Sequence, residues 1–197
     1  MPQINRRQLL QLLGAAPLAA GFTWTDAEAA EAQQKAQAAR AAAPKGRYTP
    51  KFFSAHEYAT IAVLVDLILP KDERSGSATD AGVPEFMDFM MTDQPNRQTA
   101  MRGGLAWLDL ECQDRFDKLF LDCADAERAK VLDDIAWPRT AKPELAAGVA
   151  FFNSFRDLTA SGFWSSKMGV EDLKYMGNTM VAEWKGCPEE ALKKLGL

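Results

Sequence analysis

Apolar positions in the body of this chain recur at helical spacing, in blocks separated by polar or Pro/Gly breaks. Ser54-Ala55-His56-Glu57 reads as a capping box, with Ser54 at the N-cap and Glu57 three residues on. The run that follows, Tyr58, Ile61, Ala62, Val63, Leu64, Val65, Leu67, Ile68 and Leu69, ends at Pro70. It is apolar almost all round, which predicts a helix at the centre of the core. After a polar loop, Pro84 suits the first turn of a second helix carrying Phe86, Met87, Phe89 and Met90. A third segment, Arg97 to Cys123, places Leu105, Leu108, Cys112, Phe116, Leu119, Phe120 and Cys123 at three- and four-residue steps. Asp125 can cap a fourth, short helix with Val131, Leu132 and Ile135, ended by Trp137-Pro138. Glu144 to Thr159 forms a fifth, with Leu145, Val149 and Phe152 on one face, Phe151, Phe155 and Leu158 beside them, and Gly162 as its stop. No period-two alternation suggests a strand. The expected fold is all-α, a single domain of about five helices with an irregular, aromatic and Gly-containing C-terminal segment.

The N-terminus has a different pattern. Arg6-Arg7 precedes an apolar run from Leu9-Leu10 to Phe22. That run falls short of the roughly 20 residues of a membrane span and suits the apolar region of a secretory signal. The paired arginines with Leu9 and Leu10 resemble a twin-arginine export signal, although Asn5, Leu9 and Gln11 depart from the commoner residues there. A small-x-small site at Ala27-Glu28-Ala29 closes a signal over residues 1–29. Ten of the seventeen residues from 27 to 43 are alanine, with scattered charges and no apolar stripe, so residues 30–47 read as a linker of marginal helix. The helical domain takes residues 48–197.

Composition then narrows the chemistry. Hydrophobic residues make up 47% and charged residues 25% of 197, with 23 basic against 27 acidic side chains. A net charge of −4 offers no footprint for nucleic acid. One histidine and three cysteines cannot build a His-rich metal site or a four-thiolate cluster alone. His56, inside the capping box, reads as a surface or capping residue, since the helix dipole disfavours a cation there. On one continuous helix Cys112 and Cys123 lie on one face but roughly 16 Å apart, beyond disulfide reach; either could pair with Cys187. No dinucleotide or phosphate-binding loop is present. No catalytic, cofactor-binding or metal-binding residue is therefore expected in this chain. Phe163, Trp164, Tyr175, Asn178 and Trp184 are the candidates for a partner surface, where aromatic side chains carry binding energy; the alternative is that they fold back onto the bundle.

Three runs of sequence carry a family resemblance: Phe53 to Glu57 leading to Asp66-Leu67-Ile68-Leu69-Pro70; Asp80-Ala81-Gly82-Val83-Pro84-Glu85-Phe86-Met87-Asp88; and Gly162-Phe163-Trp164-Ser165-Ser166-Lys167-Met168-Gly169 followed by Leu173 to Asn178. In this order, behind a twin-arginine signal, they resemble the gluconate 2-dehydrogenase subunit 3 family. The resemblance implies a non-catalytic small (gamma) subunit of a periplasmic sugar or glycoside dehydrogenase complex, membrane-associated through that complex. It implies a large partner subunit of the glucose–methanol–choline type that holds FAD and performs the oxidation, with a cytochrome c or quinone as electron acceptor. It also implies that the small subunit supplies the signal read by the twin-arginine export machinery and acts as a chaperone for the large one. Two other readings compete: a free-standing periplasmic binding or scaffold protein, and an independent enzyme using His56 or a thiol.

Overall fold

A computed structural model describes residues 30–31, 33–35, 48–175, 177, 183, 186–187 and 189–196. Among these the chain is all-α, with no strand. Five principal helices run in order: α1 (Ala55–Ile68), α2 (Val83–Asp93), α3 (Gln98–Phe116), α4 (Asp125–Ala136) and α5 (Ala146–Trp164). Short 3-10 turns precede α3 (Pro95–Arg97), α4 (Phe120–Asp122) and α5 (Pro143–Leu145). Two small helices follow, α6 (Lys167–Asp172) and α7 (Glu189–Leu195).

α1 starts as its sequence dictates. The Glu57 N–H donates to Ser54 Oγ at 3.2 Å, and the Ser54 N–H donates to Glu57 Oε2 at 2.8 Å. Glu57 also pairs with Arg102 of α3 at 3.3 Å. Arg102 in turn donates to the Phe52 carbonyl at 2.8 Å and covers the Phe52 ring at 4.2 Å. Pro84 lies in the first turn of α2, which follows Gly82 in the left-handed conformation (φ 83°). α4 begins at Asp125 with Ala124 in the cap position. Its first turn is closed by the Glu127 carboxylate, which accepts from the Ala124 N–H at 2.8 Å.

The centre of the molecule is α5, not α1. α5 packs against α1, α2, α3, α4 and α6. It buries Phe151, Phe152, Phe155, Leu158, Thr159 and Phe163 among its residues. Its small residues explain how so many helices approach it. Any side chain at Gly148 would overlap the Trp107 indole of α3, and one at Gly162 would meet the Phe86 ring of α2 at 2.7 Å. From the α3 side, Gly104 makes the matching space for Phe151. α1, although apolar nearly all round, leaves Leu67 42% exposed and sits at the flank. Gly162 is therefore no stop: α5 continues through it to Trp164, and the glycine serves close packing instead.

The third segment also divides. α3 ends at Phe116, where Asp117 takes the left-handed conformation (φ 58°) and its N–H donates to the Gln113 carbonyl at 3.1 Å. The chain then turns back through Leu119 into the 3-10 turn Phe120–Asp122. Cys112 and Cys123 do not share a helix.

The entry to the body is fixed by one buried side chain. Asp88 of α2 is fully buried. It accepts from Tyr48 Oη (2.8 Å) and from the backbone N–H groups of Lys51 (2.8 Å), Phe52 (3.0 Å) and Phe53 (3.1 Å). Burial, and then the bond to Asp88, raise the Tyr48 phenol well above its ordinary value. A raised folded value means that Tyr48 supports the fold fully below about pH 10, where the unfolded phenol ionises, and loses that contribution as pH climbs further. Tyr48→Phe should consequently flatten the alkaline fall in stability above pH ~10, measured by urea unfolding from pH 8 to 11. An unchanged alkaline slope would show that Tyr48 ionises freely in the folded chain. Earlier still, the helical residue Gln33 is buried and donates through Nε2 to the Ala81 carbonyl at 3.2 Å, and Lys35 lies 5.4 Å from the Phe89 ring centre.

Candidate partner interface

The proposed contact residues have three different fates. Phe163, in the last turn of α5, is 3% exposed and belongs to the core, so it folds back onto the bundle and leaves no face for a partner. Trp164 beside it is half-buried and meets Phe163 edge-on at 5.3 Å. Its indole N–H is buried without a hydrogen-bond acceptor. Tyr175 is 59% exposed. Asn178 and Trp184 lie outside the described residues, as do the signal residues Arg6, Arg7, Leu9 and Leu10.

The local sequence explains this arrangement. Ser166 caps α6, accepting from the Gly169 N–H at 3.0 Å, and donates to the Phe163 carbonyl at 2.6 Å. Gly169 then sits against the Phe163 backbone with no room for a side chain. Arg74, from the loop after α1, pairs with the Asp172 carboxylate at 2.7 Å and donates to its carbonyl at 2.8 Å, fastening the end of α6. Leu173 and Tyr175 follow directly, both exposed. Exposed apolar groups two residues apart on a fastened turn suit a contact surface. Trp137, after α4, is 69% exposed, although in the sequence Trp137-Pro138 signals only a helix end.

A groove of about 370 Å³ opens between α1 and the start of α4, walled by Ala62, Val63, Leu67 and Arg128. Its polar groups are already engaged. Asp66 accepts from the Thr79 N–H (2.8 Å) and hydroxyl (2.7 Å), and Arg128 donates to the carbonyls of Phe120 (3.0 Å) and Leu121 (2.6 Å). What remains is an apolar wall.

The residues with possible chemistry are likewise tied into the fold. His56 Nε2 lies 2.6 Å from Asp109 Oδ2, and Asp109 Oδ1 accepts from the Phe120 N–H at 3.0 Å. One carboxylate of α3 thus joins α1 to the turn before α4. Cys112 is fully buried; burial, followed by the neighbouring Cys123, pushes its thiol up to about 12, which suppresses the nucleophilic thiolate. Cys187 is exposed. Among the described residues, no three of His, Cys, Asp and Glu gather in a group able to hold a metal ion. Among the same residues, no helix is long and apolar enough to cross a membrane.

No curated protein and no solved structure matches the chain. The family described as gluconate 2-dehydrogenase subunit 3 matches residues 55–185, from the first residue of α1 to beyond Tyr175, about two thirds of the length. By that match the chain belongs to the gluconate 2-dehydrogenase subunit 3 family, an accessory subunit of a dehydrogenase complex.

Proposed function

We propose that the chain is the non-catalytic small subunit of a periplasmic FAD-dependent sugar or glycoside dehydrogenase. The large partner, of glucose–methanol–choline type, holds the flavin and carries out the oxidation, and a cytochrome c or quinone receives the electrons. The small subunit supplies a twin-arginine signal at Arg6-Arg7 for export of the pair and stabilises the flavoprotein by binding it. The family match across the helical body carries this reading. The fold adds support: His56 pairs with Asp109 and Cys112 is buried in the core, and Leu173 and Tyr175 are exposed to solvent on the turn that α6 fastens. An aromatic and an aliphatic side chain so placed can enter a pocket on a partner.

Replacing both Arg6 and Arg7 by lysine in cells co-expressing the flavoprotein tests the reading. Dye-linked dehydrogenase activity should move from the periplasmic to the cytoplasmic fraction, falling at least about tenfold outside. Periplasmic activity at the wild-type level would refute the shared signal. In the same cells, a chain ended after Lys174 keeps α1 to α6 and should lose most of the co-purified flavoprotein; an undiminished yield would refute a C-terminal interface. Dehydrogenase activity from the small chain purified alone would overturn the assignment altogether.

A further inference from the structure

We propose that Cys112 and Cys123 close an intramolecular disulfide that staples the end of α3 to the turn before α4, leaving Cys187 as the free thiol. Two independent features bring the sulfurs together. The first is the path of the chain. Asp117 reverses it in the left-handed conformation, and the Asp109 carboxylate, on the same face of α3 as Cys112 and one turn earlier, holds the Phe120 N–H at 3.0 Å. Arg128 fixes the same turn from α4 through the carbonyls of Phe120 and Leu121, and the Cys123 N–H donates to the Leu119 carbonyl at 3.2 Å. Cys123, three residues beyond Phe120, is thereby carried back over α3. The second is burial: both residues lie in the same hydrophobic core, at 0% and 3% exposure, and Cys123 is near enough to Cys112 to contribute to the rise of its thiol. A disulfide requires Cα atoms within about 7 Å and Cβ vectors turned toward each other, an arrangement that a turn folded back onto its own helix can supply.

The reaction is ordinary thiol–disulfide exchange. One thiolate attacks a disulfide of the oxidant, either glutathione disulfide or a protein disulfide, forming a mixed disulfide and expelling a thiolate. The second cysteine then attacks its partner's sulfur, forming the S–S bond and releasing the oxidant's other thiolate. Two S–H bonds are lost from the chain, and the two electrons and two protons leave with the reduced oxidant. Burial and the raised Cys112 thiol make the folded dithiol a poor reactant. The exchange therefore runs while the turn is still open, during folding or local unfolding, and the closed bond is afterwards shielded from reductants. The proposal does not depend on export, since glutathione disulfide serves as oxidant in solution.

The full chain, unfolded and reduced, is refolded in buffer containing glutathione disulfide, then denatured and treated with a maleimide. One maleimide per chain, on Cys187, and a digest in which the peptides of Cys112 and Cys123 are joined are the expected results. The oxidised chain should melt about 6–10 °C above the reduced one, as for a loop of this length in a protein of this size. Cys123→Ala should abolish that difference. Should Cys123→Ala fail to fold, Cys187→Ser still reports: it should take up no maleimide after oxidation and two after reduction. Three maleimides on the oxidised wild type, glutathione adducts at Cys112 or Cys123, or a bond through Cys187 would each overturn the pairing. If pairing succeeds in solution while chain recovered from cells remains fully reduced, the export reading fails and the disulfide stands.

Discussion

Asp88→Ala is expected to remove about 3–5 kcal/mol of stability, a large share of the roughly 5–15 kcal/mol that a folded domain has. The cost comes less from the lost carboxylate than from the donors it abandons. Three consecutive backbone N–H groups, Lys51 to Phe53, and the Tyr48 hydroxyl all point at its two oxygens. Phe53 is itself buried, so water cannot freely replace what is lost there. Asp88→Asn is expected to recover only part of the loss, because the carboxamide keeps one acceptor oxygen and turns its own N–H donors toward donors. Urea unfolding measures the change, and amide exchange at Lys51, Phe52 and Phe53 locates it. Loss of stability without faster exchange at these amides would show that Asp88 acts elsewhere.

The second large effect comes from the absence of a side chain. In an exposed helix, Gly→Ala stabilises by up to about 1 kcal/mol. At Gly148 the sign should reverse, with Gly148→Ala destabilising and Gly148→Val costing about 2–3 kcal/mol, because the Trp107 ring already fills the space. Combining Gly148→Val with Trp107→Leu should recover at least about 1 kcal/mol relative to the sum of the single changes. Strict additivity in that cycle would show that the two side chains do not compete for one site.

Much of this architecture was legible in local chemistry. Ser54 and Glu57 announce the start of α1, Pro84 that of α2, and the spacing from Val131 to Ile135 shows the inner face of α4. The failures have particular physical causes. A glycine ending a helix and a glycine admitting a neighbour's ring look alike in sequence, so the sequence does not show that α5 runs on through Gly162. The reversal at Asp117 uses an aspartate in the left-handed region, with no glycine or proline to mark it. The apolar period therefore ran on through Leu119, Phe120 and Cys123 as though the helix continued. The bond from the Phe120 N–H to the Asp109 carboxylate depends on that reversal. Of the contact candidates, the exposure of Tyr175 and the burial of Phe163 follow from how Ser166 and Gly169 close the end of α5. The long-range packing behind that closure has no local signature.

The position of α5 as the hub has a consequence for the order of events during synthesis. α1 to α4 all pack against a helix whose last turn is encoded at Phe163-Trp164, so none of them can complete the burial of its apolar face until the chain has been made almost to that point. At ordinary translation rates the N-terminal segment precedes the helix that completes the core by on the order of ten seconds. During that interval the nascent chain displays Phe86 without the α5 surface at Gly162 that receives its ring. A folding helper or a subunit already waiting nearby would meet α2 before α5 does.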